Sequence, residues 1–499
     1  MSENVLELLE SQLEQNKNKF AVVDSSRSLT FEQLILESKK VASALLKYGL
    51  KKQPIMVQID NSTNTLVAFF GVLYSGNYYV PVDPDIVEDK FVKTNELLNC
   101  THIICQNDFN FDISKHLAKI DFAECLNTKN NDASLAEIRK ESLADDLLYI
   151  MFTSGSTGTP KGVKKTHKSM ISYIENFTQT FDLGANQIIA NQTPFFFDAS
   201  SKDIYLMVKK GFTLHLIQKQ LFSFPVKLIE YLNENKVTLI SWVPSALTIV
   251  VRLNTFMQVK PEWLEYVFFV GEVMHPKYLK IWQETLPQTK FINLYGSSEM
   301  AGVCCYHIVD RIYDAGETLP IGKPLKNNTV LLLDENGSIV NDGEVGEVCV
   351  ISDQLALGYI SDEQQNKDRF VFDPTRNTTV LRTGDLCYLG KNDNIIFVGR
   401  KDFQIKHMGY RIELGEIENA TMCIHEVDLA CCIYDHNASK IVLYLTLAKP
   451  DIAEPVRFVT EQLKAKLPTY MIPNRIIILD ELIYNQNNKL DRAKLKLLA

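Results

Sequence analysis

At 499 residues the chain is too long to be organised by one hydrophobic core, and two or more domains are expected. Its 46% apolar and 23% charged residues are those of an ordinary globular protein, and 52 Lys and Arg against 61 Asp and Glu leave a formal charge of −9. That balance excludes sequence-independent nucleic-acid binding, which needs clustered cations against phosphates, and no basic stripe interleaved with aromatics occurs.

No run approaches the roughly 18 uninterrupted apolar residues of a membrane span. Met1-Ser2-Glu3-Asn4-Val5 lacks the basic start of a signal peptide, so a cytoplasmic protein is expected. The ten cysteines are scattered, with Cys304/Cys305 and Cys431/Cys432 adjacent and no C-x-x-C. That spacing suits neither zinc nor a disulfide framework, and reduced structural thiols are expected. The nine histidines form no H-x-x-x-H pair.

In chain order, Ser28-Leu29-Thr30-Phe31-Glu32 opens a helix. Thr30 is placed as its N-cap with Gln33 three residues on, followed by Leu34, Ile35, Val41, Leu45 and Leu46 at helical spacing. Apolar runs at 54–59, 78–82, 101–105 and 147–152 read as buried strands, with a helix at 64–75 between the first two. Runs at 237–242, 266–270 and 291–294 continue the alternation. Repeated strand–helix order predicts parallel sheets with sites beyond the carboxyl ends of the strands. From about 328, short strands at 329–333, 347–351, 379–382 and 395–398 are separated by Asn-Gly, Asp-Gly and Asn-Asp turns. Past Asp402 come a helix at 413–422, a β-rich stretch at 429–447 and a helix near 454–467. The expected fold is α/β. A large N-terminal domain, 1–401, carries two parallel-type sheets with helices and a small β-rich subdomain; a small α+β domain, 402–499, follows.

The strongest local signal is Thr153-Ser154-Gly155-Ser156-Thr157-Gly158-Thr159-Pro160-Lys161-Gly162, directly after an apolar strand. Glycines admit close approach of phosphate to the backbone, and N–H groups with hydroxyls cradle its oxygens. The spacing is not that of a Walker loop.

With that loop, an ordered series of motifs resembles the adenylate-forming superfamily of acyl-CoA synthetases, luciferases and nonribosomal peptide synthetase adenylation domains, nearly end to end. Before it stand Leu29-Thr30-Phe31-Glu32-Gln33-Leu34 and Tyr78-Tyr79-Val80-Pro81-Val82-Asp83. After it come Phe196-Phe197-Asp198-Ala199-Ser200, Asn293-Leu294-Tyr295-Gly296-Ser297-Ser298-Glu299 and Arg382-Thr383-Gly384-Asp385-Leu386. Gly399-Arg400-Lys401-Asp402 leads to Gly409-Tyr410-Arg411-Ile412-Glu413, and Asn488-Lys489-Leu490-Asp491-Arg492 closes the series.

The resemblance implies ATP and Mg2+ as cofactors and a role for each matching residue. Thr153, Ser154, Gly155, Ser156, Thr157, Gly158 and Lys161 would hold phosphates, with Thr153 also catalytic. Tyr295 would stack on adenine beside Gly296, Asp385 would accept from the ribose hydroxyls with Arg400 near, and Ser298 would meet phosphate. Glu299 would be catalytic and the metal ligand, a hard oxygen donor suited to magnesium. Lys489 would bridge the carboxylate and the α-phosphate, neutralising two anions brought together. The family's usual Y-G-P-T-E reads Tyr295-Gly296-Ser297-Ser298-Glu299 here, losing a rigid proline. Asp402 would be the hinge of a mobile C-terminal domain, and the loop around Gly409 would serve the thioester-forming state.

Asp198 matches the aspartate that pairs with a substrate α-ammonium in amino-acid-activating members. Such a pair at ~4 Å and an effective dielectric of ~20 has roughly 4 kcal/mol of Coulomb attraction before desolvation. A helix-capping role is the competing reading. The other pocket positions are Ala199, Lys202, Ser241, Phe268, Val270, Leu294, Gly302 and Val303, with Lys489 reaching the carboxylate. A lysine at 202 aimed into the pocket suits an acidic side chain, and one aimed at solvent says nothing about it; the sequence leaves both open. An amino acid adenylation enzyme charging a separate phosphopantetheine carrier protein is expected, with D-alanyl-ligase-like architecture. An acyl-CoA or aryl-CoA synthetase and an inactive homologue acting as a binding module are the alternatives.

Overall fold

The computed structural model describes residues 4–153, 160–314, 316–360, 362–402, 404–436, 438–448, 453–483 and 492–498. It divides into two compact units. The first comprises Met1–Pro84, Leu98–Met151 and Gly162–Lys401; the second comprises Asp85–Leu97, Phe152–Lys161 and Asp402–Ala499.

The helix Phe31–Leu45 begins where its capping box places it: Thr30 Oγ1 accepts from Gln33 N, and the Gln33 side chain accepts from Thr30 N. It packs on Thr63–Tyr74, in which every residue but Asn64 is buried, as a helix apolar all round must be. Pro54–Gln58 pairs in parallel with Tyr78–Val82 and His102–Cys105, and Tyr78–Val82 pairs in parallel with Leu147–Thr153. The six strands of this sheet run in the order Ala118–Asp121, His102–Cys105, Pro54–Gln58, Tyr78–Val82, Leu147–Thr153, Lys161–Thr166.

A nine-stranded sheet holds the other parallel strands: Leu239–Trp242, Tyr266–Val270 and Lys290–Ser297 lie side by side. Gly302–Ile308 folds back antiparallel on the last of these, a return that the apolar pattern did not announce, and Lys323–Pro324 pairs beyond it at the edge. Side chains from both sheets, among them Ile55, Leu148, Leu214, Phe268 and Leu294, share one apolar cluster. The strand-rich stretch forms a five-stranded sheet, antiparallel throughout: Thr329–Leu333, Gly346–Ile351, Phe370–Asp373, Thr378–Leu389 and Ile395–Arg400.

In the second unit Val427–Asp435 and Lys440–Leu447 form an antiparallel pair joined in parallel by Arg475–Ile478. Leu414–Met422 and Pro455–Lys464 bury Ile417, Val459 and Leu463 against it. The hairpin Gln404–His407/Tyr410–Glu413 turns on Met408 and Gly409, at φ of 51° and 83°. Two successive positive φ values in a two-residue loop match the strand twist, and glycine supplies the second without steric cost. Nine of the ten cysteines are buried and unbridged, while Cys423, just past Leu414–Met422, is exposed. No helix among the described residues is long and apolar enough to cross a membrane.

Candidate active site

Asp198 stands at the N-terminus of the helix Ala199–Lys210 yet makes no capping hydrogen bond. Its carboxylate turns instead toward two buried side chains. Tyr149 donates its hydroxyl to Oδ1 at 2.7 Å, and Lys165 Nζ lies 3.9 Å from Oδ2. Lys165 also donates to the Met300 carbonyl. Burial pushes the Asp198 carboxyl above the usual carboxylate range, against the opposing pull of Lys165 and Tyr149. Burial likewise lowers the Lys165 ammonium, against the pull of Asp198 and Glu299.

The expected pocket residues come together on neighbouring strands of the nine-stranded sheet. Ser241 pairs with Phe268 and Val270 with Leu294, while Gly302 and Val303 pair antiparallel with Ser297 and Gly296. Phe268 belongs to a ring cluster, 5.4 Å from Phe177 and 5.2 Å from Phe181. Lys202 is buried, its ammonium 2.5 Å from Asp203 Oδ1 and over the faces of Phe177 and Phe268. It faces neither solvent nor an unbalanced position. Ala199 is exposed.

Gly302 has φ +146°, and a Cβ there would lie 2.4 Å from the Tyr173 ring. That ring cannot swing away, because Tyr173 is buried and its hydroxyl takes a hydrogen bond from the Val303 backbone. Gly302→Ala is therefore expected to cost about 1–3 kcal/mol of overpacking. A lowered thermal midpoint and a raised KM for the acid substrate, with KM for ATP little changed, would register it.

A second cluster gathers around Asp385. Tyr295 donates its hydroxyl to Asp385 Oδ2 at 2.5 Å, and Arg400, paired with Asp385 across two antiparallel strands, donates to Oδ1. Thr383 Oγ1 accepts from the Asp385 backbone N at 3.1 Å. Burial and the adjacent Asp385 charge raise the Tyr295 phenol well above its ordinary range, so it remains a donor. Gly296 sits at a register shift where a Cβ would come 2.1 Å from the Gly302 carbonyl oxygen, so no larger residue fits. Glu299 is buried, and its Oε1 accepts from Tyr359 at 2.6 Å. Ser298 is half-buried.

Within the second unit, Thr153 Oγ1 donates to the Lys161 carbonyl at 3.5 Å, and Lys161 Nζ lies 3.8 Å from Glu413 Oε1. Asp402 Oδ1 accepts from Gln404 N at 3.3 Å. Gly409 is half-buried in its hairpin turn, beside the exposed Met408. Arg492 is held by Glu418 through Nη1 at 2.6 Å and Nη2 at 2.8 Å. The expectations for Ser154, Gly155, Ser156, Thr157, Gly158 and Lys489 fall outside the described residues. Reading the sequence missed Tyr149, Lys165, Tyr173 and Tyr359.

The chain belongs to the family of AMP-binding enzymes, which it matches over residues 9–360. It is an AMP-forming ligase that uses ATP. Zwittermicin A synthase ZmaJ of Bacillus cereus is 30% identical over 100% of this chain and 96% of its own length. D-alanine--D-alanyl carrier protein ligase of Bacillus velezensis is 31% identical over 94% of each. Among solved structures, holo-PA1221, an NRPS protein containing adenylation and PCP domains, shares the fold with a TM-score of 0.85. Its identity is 23%, over 99% of this chain and 84% of that one.

Proposed function

We propose that this ligase activates the carboxylate of an amino acid as aminoacyl-AMP, releasing pyrophosphate, and passes the acyl group to the phosphopantetheine thiol of a separate carrier protein. The single observation carrying this reading is the Asp198 carboxylate: buried, excused from capping its helix, and held by Tyr149 on one oxygen. Tyr149 fills one acceptor site and Lys165 stays beyond hydrogen-bond reach of Oδ2, so the buried carboxylate keeps acceptor capacity that suits a ligand ammonium.

In this reading Asp198 takes the α-ammonium, while Ser241, Phe268, Val270, Leu294, Gly302 and Val303 surround the side chain. Lys202 already has its counterion in Asp203, so it offers an acidic side chain no uncompensated cation. Tyr295 faces adenine, and Asp385, oriented by Arg400, meets the ribose hydroxyls. The phosphate loop from Thr153 to Lys161 cradles the phosphates. Glu299 would hold a magnesium ion; one buried carboxylate suits a metal that keeps its waters and takes further oxygens from phosphate, and the ion would supply charge neutralisation. Lys489 joins the two reacting anions. Residues 402–499 act as a mobile domain hinged at Asp402, presenting Lys489 for the first step and the Gly409 loop for the second. We place the reaction in the cytoplasm.

Amino-acid-dependent exchange of labelled pyrophosphate into ATP tests the proposal over a panel of D- and L-amino acids and simple carboxylic acids. Exchange with one or a few amino acids is expected. Exchange confined to acids without an amino group would reject it in favour of an acyl-CoA or aryl-CoA synthetase. No exchange with any acid or carrier would mark an inactive homologue.

A further inference from the structure

Lys164-Lys165 in the strand Lys161–Thr166 has the sequence of a solvated pair, yet Lys165 is wholly buried while Lys164 is not. A lysine is rarely taken so far from water without a task, because its ammonium forfeits hydration that only close anions and acceptors can replace. Two groups lie nearest it, with the Glu299 charge acting from further off. The Met300 carbonyl accepts its hydrogen bond, and an isolated antiparallel bridge of Met300 with Leu355 ties down the backbone on either side of it, through Ala356 N to Glu299 O and Ala301 N to Gln354 O. Asp198 Oδ2 lies 3.9 Å away, inside ion-pair range but beyond hydrogen-bond reach.

That separation matters. An ionised carboxylate accepts through two oxygens with about four lone-pair positions. Tyr149 takes one on Oδ1. Lys165 contributes charge to Oδ2 without occupying its lone pairs, since at 3.9 Å none of its N–H groups reaches that oxygen, and one is donated to the Met300 carbonyl. The acceptor sites of Oδ2 thus remain for an incoming ammonium, while the carboxylate has a cation beside it before any substrate arrives.

We infer that Lys165 is a positioning residue for substrate selection, a resident cation that keeps the Asp198 carboxylate charged and aimed so that it distinguishes an ammonium-bearing acid from its deaminated counterpart. This rests on the reading of Asp198 as the ammonium acceptor. It also extends the substrate class. Lys202 with Asp203 forms an internally balanced pair, so beyond Asp198 the pocket favours amino acids whose side chains are uncharged.

The test uses the full-length enzyme, the amino acid giving the highest exchange in the panel above, and its deaminated acid (propionate, for alanine). Lys165→Met nearly conserves volume and removes the charge; Lys165→Gln keeps a donor for Met300 without charge; Lys165→Arg keeps the charge. For Met and Gln, KM for the amino acid should rise at least tenfold with KM for ATP within twofold. The preference for the amino acid over its deaminated acid should fall at least tenfold, and Arg should recover part of it. A structural role alone would lower activity toward both acids equally and raise KM for ATP as well. Unchanged or increased preference in the Gln variant would overturn the inference, and Gln decides the matter if Met does not fold. Asp198→Asn run in parallel separates the two readings. If it leaves the preference intact, the ammonium-acceptor reading fails; if it abolishes the preference and Lys165→Gln does not, only the role of Lys165 fails.

Discussion

Lys489→Ala is expected to lower the rate of adenylate formation by about 10²–10³, the scale of losing one preorganised charge-stabilising donor. Transfer of the acyl group from preformed adenylate to the carrier thiol should continue near the unmodified rate. The asymmetry follows from the chemistry. Attack of a carboxylate on the α-phosphorus drives two anions together, so the first step depends on a cation placed between them. The second step breaks a mixed anhydride with a thiol, and AMP departs with its charge already held by the nucleotide site. Single-turnover measurement of each step, with amino acid and ATP in one and isolated adenylate in the other, resolves the two. Equal losses in both would contradict a domain that carries Lys489 into one step and out of the other.

Asp198→Asn should reduce kcat/KM for the preferred amino acid by about 10–150-fold, because an ionised acceptor is worth roughly 1.5–3 kcal/mol to a hydrogen bond. The same substitution should leave kcat/KM for the deaminated acid within a few-fold. The amide preserves the shape of the side chain and can still accept from Tyr149 through its oxygen, so packing against the strand Leu147–Thr153 is retained. What disappears is the attraction for a positive charge. Substitution by Ala would confound this by leaving Tyr149 and Lys165 without their partner in a buried site. Steady-state exchange with both acids, reported as a ratio, is the measurement.

Much of the architecture was legible because the local signals agreed with the global fold. The capping box at Thr30 and Gln33, the apolar runs of the parallel strands and the turn-punctuated strands after 328 all point the same way. The antiparallel strand Gly302–Ile308 was not legible. It follows the site motif after a short turn and returns antiparallel, and neither a crossover helix nor a periodic pattern marks it. In the acid pocket, Asp198 could be picked out by its place in a motif, but its partners could not. Tyr149 lies in an apolar strand, where a tyrosine looks like core, and only the fold brings its hydroxyl to a residue 49 positions away. Lys165 sits beside another lysine, a pattern that ordinarily belongs to a surface. Lys202 was legible as unusual, but its counterion was not, because residues adjacent on a helix do not normally face one another. Burial against Phe177 and Phe268 brings the Lys202 ammonium back onto Asp203.

The distribution of thiols has a practical consequence. Burial holds the Cys105, Cys125 and Cys431 thiols up at about 11, far from the thiolate that alkylating reagents require. Cys423 is the exposed sulfur of the ten, and it lies in the segment following Asp402. A maleimide fluorophore added to the unmodified chain would therefore attach at one place. The protein comes with its own reporter position on the portion proposed to move, and no cysteine need be engineered or removed to use it.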